Sequence, residues 1–266
     1  MIGQPSPSYV FFVGGRDLEM VQVRALLQGE ARGLFFDRGL SWGARASAYG
    51  AEIETAIRQG LTPVLVELTD DLDLPPDKVI VVDHHGAAAG ANRPTSLEQV
   101  FALLGLDRSR WTRWMELVAA NDRGYIPGLV AAGASREEIE QIRTADRAAQ
   151  GVTTEEEAEA ERAVAAVEQR MGGKLTVARM SHSRVAPLED RLHSALGGPG
   201  VKNLVVIGGG ETNFSGDGPV VLELGRRFPA SWSGGDLPSH GYWGVAGERE
   251  DVVEIVEHLL AKRGRS

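Results

Sequence analysis

The chain contains no cysteine, which removes disulfides, thiolate zinc sites and cysteine nucleophiles from consideration. It has no excess of positive charge either. Twenty-eight lysines and arginines stand against 37 acidic residues, a net charge of −9. Wholesale binding to long DNA is therefore not expected, whereas a small anionic ligand in a local basic or metal-bearing pocket is allowed. No apolar run approaches eighteen residues, and no basic segment with an apolar core opens the sequence. A cytoplasmic protein without membrane association is the expectation.

What is present suffices for real cores: 42 % of the 266 residues are apolar, and this length predicts two domains. Strand-like runs at Tyr9–Val13, Gly33–Phe36, Thr62–Leu68 and Lys78–Val82 alternate with helical patterns, one of them over Ala44–Arg58. This alternation predicts an α/β fold: a parallel-sheet N-terminal domain with helices on both faces, and a smaller α/β C-terminal domain across a cleft. The divisions expected are 1–150 for the first domain, 151–173 for a helical linker and 174–266 for the second. Within the last, Pro219–Leu224 reads as a strand followed by a Gly-rich loop, and Gly208-Gly209-Gly210 as a turn, since no Gly-Lys-Ser/Thr follows it.

The fourth run, Val79-Ile80-Val81-Val82, reads as a fully buried strand leading into Asp83-His84-His85-Gly86. In an open α/β sheet the carboxyl ends of strands are where ligands bind. Other acids fall at the same edge: Asp17 and Glu19 after the first strand, Glu67 at the end of the third, and Asp122 at a helix end. Acids and an imidazole from separate segments are what metal-assisted hydrolysis requires, with carboxylates bridging two ions about 3.5–4 Å apart. Each has a plainer role. Asp17 is equally suited to cap a helix, Glu19 to complement the helix dipole and Asp122 to cap a turn. The acid-rich segment 69–73 reads as a solvated loop; His182, His193 and His258 have no partner pattern.

Val81-Val82-Asp83-His84-His85-Gly86 resembles the signature of the DHH phosphoesterases, a family of RecJ-type exonucleases, oligoribonucleases, phosphatases of adenosine bisphosphate, cyclic-dinucleotide phosphodiesterases, pyrophosphatases and exopolyphosphatases. The resemblance extends to Glu67, sixteen residues before Asp83, and Asp122, thirty-nine after it. It implies Mn²⁺ or Mg²⁺, one or two ions, held by Asp17, Glu19, Glu67, Asp83, His84 and Asp122, with His85 and Asp83 in catalysis. It further implies a C-terminal domain gripping substrate phosphate through Arg226, Arg227, Gly234, Gly235 and His240. The sequence departs from the family at Val13 or Gly14, where a first-motif histidine belongs, at Glu19 and Glu67, where the family uses aspartate, and at Asp236, which aligns with the loop histidine.

The resemblance thus implies a metal-dependent phosphoesterase cleaving a phosphodiester or phosphomonoester in a small nucleotide or short oligonucleotide. The rival is a catalytically impaired descendant that binds a nucleotide or a protein partner. Whether the chain forms a homodimer is left open.

Overall fold

The computed structural model describes residues 9–30, 34–84, 93–235 and 237–263. These fall into two compact units, Met1–Arg123 and Gly124–Ser266.

The first unit is built on four parallel strands, β1 (Tyr9–Val13), β2 (Leu34–Asp37), β3 (Thr62–Val66) and β4 (Ile80–Val82), in the order β2-β1-β3-β4. Among the described residues, helices α1 (Leu18–Glu30), α2 (Gly50–Arg58), α3 (Ser96–Leu103) and the start of α4 (Arg113–Ala131) belong to this part of the chain. Side chains alternate across a strand, so Val10, Phe12 and Leu65 face α2 and pack on Tyr49 and Ile53. Phe11, Val13 and Val64 point the other way and are equally buried. The register aligns Val13 with Val66 and Val66 with Val82. The residues that follow β1, β3 and β4 therefore leave the sheet at one level.

Two expectations are corrected here. The fourth strand is not fully buried: β4 lies at the edge of the sheet, and Val81 is 52 % exposed. A short apolar run reads the same whether one or two of its faces are covered. The helix expected from Ala44 begins instead as a 3₁₀ turn over Ala46–Tyr49, and α2 starts at Gly50.

Helix α4 breaks at Gly124 and Tyr125, whose φ/ψ values are non-helical. Pro127 lacks an N–H and its ring crowds the carbonyl four residues earlier, at Arg123, while Gly124 is a weak helix former. Asp122 thus sits in the last regular turn before the break.

The second unit contains α5 (Arg136–Ala149), α6 (Thr154–Ala166), β5 (Glu168–Arg170), β6 (Leu175–Met180), α7 (Ala186–Leu192), β7 (Leu204–Gly208), β8 (Glu211–Asp217), α8 (Gly218–Arg227), β9 (Trp232–Gly234), β10 (His240–Ala246) and α9 (Asp251–Arg263). Its mixed sheet runs β5-β6-β7-β8-β10-β9; β6 and β7 pair parallel and the other neighbours antiparallel. Helices α8 and α9 cover one face around Val205, Phe214 and Trp243, and α6 and α7 cover the other around Ala178 and Val206. Gly208–Gly210 makes the turn between β7 and β8.

The segment expected as a strand at Pro219–Leu224 is helix α8. Val220, Val221 and Leu224 are buried while Leu222 is exposed, a helical spacing, and Pro219 stands in the first turn, where proline is tolerated. The Gly-rich loop expected beyond it holds two strands. Gly244 leaves room for Trp232, because a Cβ there would meet the indole at 2.4 Å. Among the described residues, no helix is long and apolar enough to cross a membrane.

Candidate metal centre

Helix α1 starts with Asp17, whose carboxylate accepts the Met20 N–H at 2.8 Å, the capping role open to it from sequence. Two residues on, Glu19 points inward and is 2 % exposed. Its Oε1 accepts the Leu97 N–H at 2.9 Å. Its Oε2 is buried without a hydrogen-bond partner and lies 4.0 Å from His84 Nδ1.

Glu67 follows β3 in a left-handed backbone conformation, φ 52°, unusual for a residue with a side chain. The strain is held by its own N–H, which donates to the Val82 carbonyl at 2.9 Å. Gly14 supplies the space, since a Cβ there would lie 2.4 Å from the Glu67 carbonyl oxygen. Strained backbone of this kind gathers at working sites. The side chain is buried, and the Ser96 hydroxyl donates to its Oε1 at 3.0 Å.

His84, directly after β4, is 6 % exposed. Glu19, Glu67 and His84 each present a donor atom within 4.8 Å of one another, a group that can hold a metal ion. Asp122 joins them, with its Oδ2 2.5 Å from His84 Nε2.

The electrostatics agree with a cation site. Burial, and then the charge of Asp122, push the Glu19 carboxyl from 4.5 up to about 8, against the pull of His84, Thr95 and the Leu97 N–H. Glu67 is raised well above its ordinary value by burial, then by Asp17, Glu19 and Asp122. Removing carboxylates from water is costly unless charge compensates, so without a cation both glutamates resist ionisation. Carboxylate oxygens with one imidazole make a donor set suited to Mn²⁺, and to Mg²⁺ through its oxygens.

The structure therefore gathers Glu19, Glu67, His84 and Asp122, with Asp17 close enough to raise Glu67. Asp83 is half-buried, and its backbone carbonyl accepts from Gln99 Nε2 at 3.2 Å. His85 and Asp236 lie outside the described residues. Arg226 and Arg227 close α8, both bound to Glu223 at 2.8 Å. Gly234 ends β9 with its Cα against the Tyr242 ring, Gly235 follows it, and His240 opens β10, exposed. Of Val13 and Gly14, the two residues where the resemblance expects a first-motif histidine, Val13 is fully buried and its carbonyl accepts the Tyr49 hydroxyl at 2.8 Å.

Sequence reasoning missed the first turn of α3. Thr95 and Glu98 form a reciprocal capping box there, and Arg123 reaches Glu98 at 2.5 Å. This fixed turn presents the Ser96 hydroxyl to Glu67 and the Leu97 N–H to Glu19. The Thr-x-x-Glu pattern at 95–98 signals the cap, but nothing in the sequence shows which carboxylates it meets.

Neither a protein-family model nor a curated protein matches the sequence. Solved structures do. The DHH domain of a member of a family of ribosomal proteins superposes with a TM-score of 0.52 at 13 % identity, over 96 % of this chain and 87 % of that one. RecJ from Thermus thermophilus, in complex with Mn²⁺, gives 0.46 at 14 % identity, over 96 % of this chain and 52 % of that one. An exopolyphosphatase-related protein from Bacteroides fragilis gives 0.44 at 11 % identity, over 97 % and 92 %. The chain spans about half the length of the Thermus RecJ. It has the fold of a DHH domain.

Proposed function

We propose that the chain is a metal-dependent phosphoesterase of the DHH type, cleaving a phosphomonoester or phosphodiester in a small nucleotide or short oligonucleotide. The observation that carries this reading is the buried convergence of Glu19, Glu67 and His84, joined by Asp122, at the carboxyl edge of a parallel sheet. Buried acids whose ionisation is opposed by burial and by each other fit a divalent cation, Mn²⁺ in preference to Mg²⁺ because of the imidazole. When bound, such an ion supplies an acidified water and polarises a phosphoryl oxygen.

The chain's own groups would do the rest. Glu19, Glu67, His84 and Asp122 would hold the ion, and Asp17 with Glu67 a second, weaker one. Ser96 and the α3 backbone would keep the two glutamates in place. Asp83 would orient the neighbouring imidazole, and His85 would bond a phosphate oxygen or move a proton. In the second unit, Arg226, Arg227, Gly234, Gly235 and His240 remain the residues proposed for substrate, with metal chemistry before residue 150 and recognition after 173. Arg226 and Arg227 would have to exchange Glu223 for phosphate.

One observation favours the second reading, a catalytically impaired binder of a nucleotide or protein. Val13 is apolar and buried and Gly14 has no side chain, so neither residue at the expected first-motif position offers an imidazole to a second ion. Incubating the Mn²⁺-loaded protein with dinucleotides, cyclic dinucleotides, adenosine bisphosphate and pyrophosphate separates the two. Release of phosphate or mononucleotide from one of them, lost in His84→Ala and Asp122→Ala, is the expected result. Tight metal binding without turnover of any would favour the binder.

A further inference from the structure

Trp42 is 68 % exposed, at the tip of the loop over residues 38–45 that follows β2. The loop itself is pinned. Leu40 and Ala44 pack on the core around Phe12 and Leu65. The Arg38 N–H donates to the Tyr49 hydroxyl at 2.9 Å, and that hydroxyl donates to the Val13 carbonyl at 2.8 Å. At the other end the Thr69 N–H donates to the Ala44 carbonyl at 3.0 Å, and the Ala46 N–H to the Thr69 carbonyl at 2.9 Å.

These bonds fix where the tip is carried. The loop leaves the sheet at β2, is tied to the end of β1, and returns beside Thr69, two residues past Glu67. Because β1 lies between β2 and β3, the loop runs along the edge where the metal-type ligands converge. Two residues from Trp42 to Ala44, one strand spacing and two residues from Thr69 to Glu67 keep the two Cα atoms within about 19 Å. Two exposed cations lie on segments at this edge: Arg45 in the same loop, 4.0 Å from Asp71, and Arg16 directly before Asp17.

A single exposed apolar residue needs no explanation by itself. A large indole held on a braced loop at the same sheet edge as a buried carboxylate–imidazole cluster, with exposed arginines on the segments of that edge, is a different matter. A fixed aromatic face stacks on a nucleobase at small entropic cost, whichever base it is, and guanidiniums grip phosphate oxygens. We propose that Trp42 is the stacking platform for the base of the substrate whose phosphate reaches the Glu19–Glu67–His84–Asp122 cluster. The substrate class is then a base-bearing nucleotide and not an inorganic polyphosphate. This inference rests on the phosphoesterase reading above.

The test uses the full chain loaded with Mn²⁺, with the metal titration read first. Adenosine 5′-monophosphate, ribose 5-phosphate and inorganic phosphate are then titrated into wild type, Trp42→Ala and Trp42→Phe. Trp42→Ala should weaken the adenosine nucleotide about 5- to 150-fold, leave ribose 5-phosphate, phosphate and Mn²⁺ as in wild type, and Trp42→Phe should keep most of the affinity. Equal nucleotide binding by wild type and Trp42→Ala overturns the inference. So does wild type binding the nucleotide no tighter than ribose 5-phosphate, or Trp42→Ala losing all three ligands alike. Any of these leaves the metal reading standing. Failure of wild type to bind Mn²⁺ at all defeats that reading in the first titration, and this inference with it.

Discussion

Each unit of the chain buries a cluster of ionisable groups, and the two clusters are opposites. In the second unit, Arg143 is 2 % exposed and meets Asp190 at 3.0 Å and Asp146 at 2.8 Å, with its guanidinium 4.0 Å from the Tyr125 ring centre. Arg147 bonds Asp190 and reaches Glu157 at 2.6 Å, while Arg191 reaches Glu157 at 2.8 Å. Each of these anions faces a guanidinium. Burial works against ionisation of Glu157, yet Arg147 and Arg191 outweigh it and hold its carboxyl below the usual range. In the first unit, Glu19, Glu67 and Asp122 gather around one imidazole, and the two glutamates are pushed up. A balanced buried network holds a fold together. An unbalanced one could hold a cation that the chain does not itself supply.

The largest effect that separates them is on stability. Arg143→Met removes the buried guanidinium that faces both Asp146 and Asp190, leaving Arg147 at Asp190, and should cost about 3–5 kcal/mol in denaturant unfolding, with Mn²⁺ affinity where it was. Glu67→Gln should do the reverse. It replaces a carboxyl whose ionisation burial and three neighbouring acids oppose with a neutral amide of similar shape, so the metal-free protein should unfold at an equal or higher temperature. Mn²⁺ affinity should fall more than about 100-fold, beyond what loss of a supporting contact produces. If Glu67→Gln destabilises the metal-free protein as Arg143→Met does, the two clusters are of one kind.

The pH dependences should also have opposite signs. The unfolded chain sheds the Glu19 proton near 4.5 and the folded chain keeps it to about 8. Between those values the folded state binds more protons, so the Glu19 contribution to stability falls as pH rises. Glu157 is lowered on folding, so its contribution is present above 4.5 and is lost as pH falls through its folded value. Melting of metal-free Glu19→Gln against wild type from pH 4.5 to 8.5 should show a stability difference that grows in the mutant's favour. A flat difference would mean that Glu19 ionises normally.

The smallest expected effect is that of Ser96→Ala. Loss of the hydroxyl that orients Glu67 should weaken Mn²⁺ by about 10-fold, the low end for a residue supporting a metal ligand, with little change in metal-free melting. An unchanged affinity would make Ser96 a helix residue and no more.

Much of the first unit was legible in the sequence because its strands are dense apolar runs and its acids follow them directly. Glu19, Glu67 and His84 could be nominated from position alone, since parallel strands deliver their ends to one edge. What could not be read was long-range. Nothing local shows that β4 is an edge strand, that Ser96 meets Glu67 from 29 residues away, or that Val13 is sealed by Tyr49. In the second unit, Pro219–Leu224 is too short for its apolar spacing to tell helix from strand. Strand β8 alternates buried Thr212, Phe214 and Gly216 with half-buried neighbours, but only one of the three is a large apolar residue. The balanced cluster escaped notice for a different reason: its arginines and acids come from α5, α6 and α7, and their pairing exists only in three dimensions.

The central claim is that Glu19, Glu67, His84 and Asp122 form a cation site whose two glutamates resist ionisation until it is filled. Calorimetric titration of Mn²⁺ into the metal-free protein at pH 7, in two buffers of different ionisation enthalpy, tests it directly. The account predicts a bound ion with proton release, an affinity that rises toward pH 8, and loss of both in Glu67→Gln. No binding at millimolar Mn²⁺, or binding with no proton released, would contradict it.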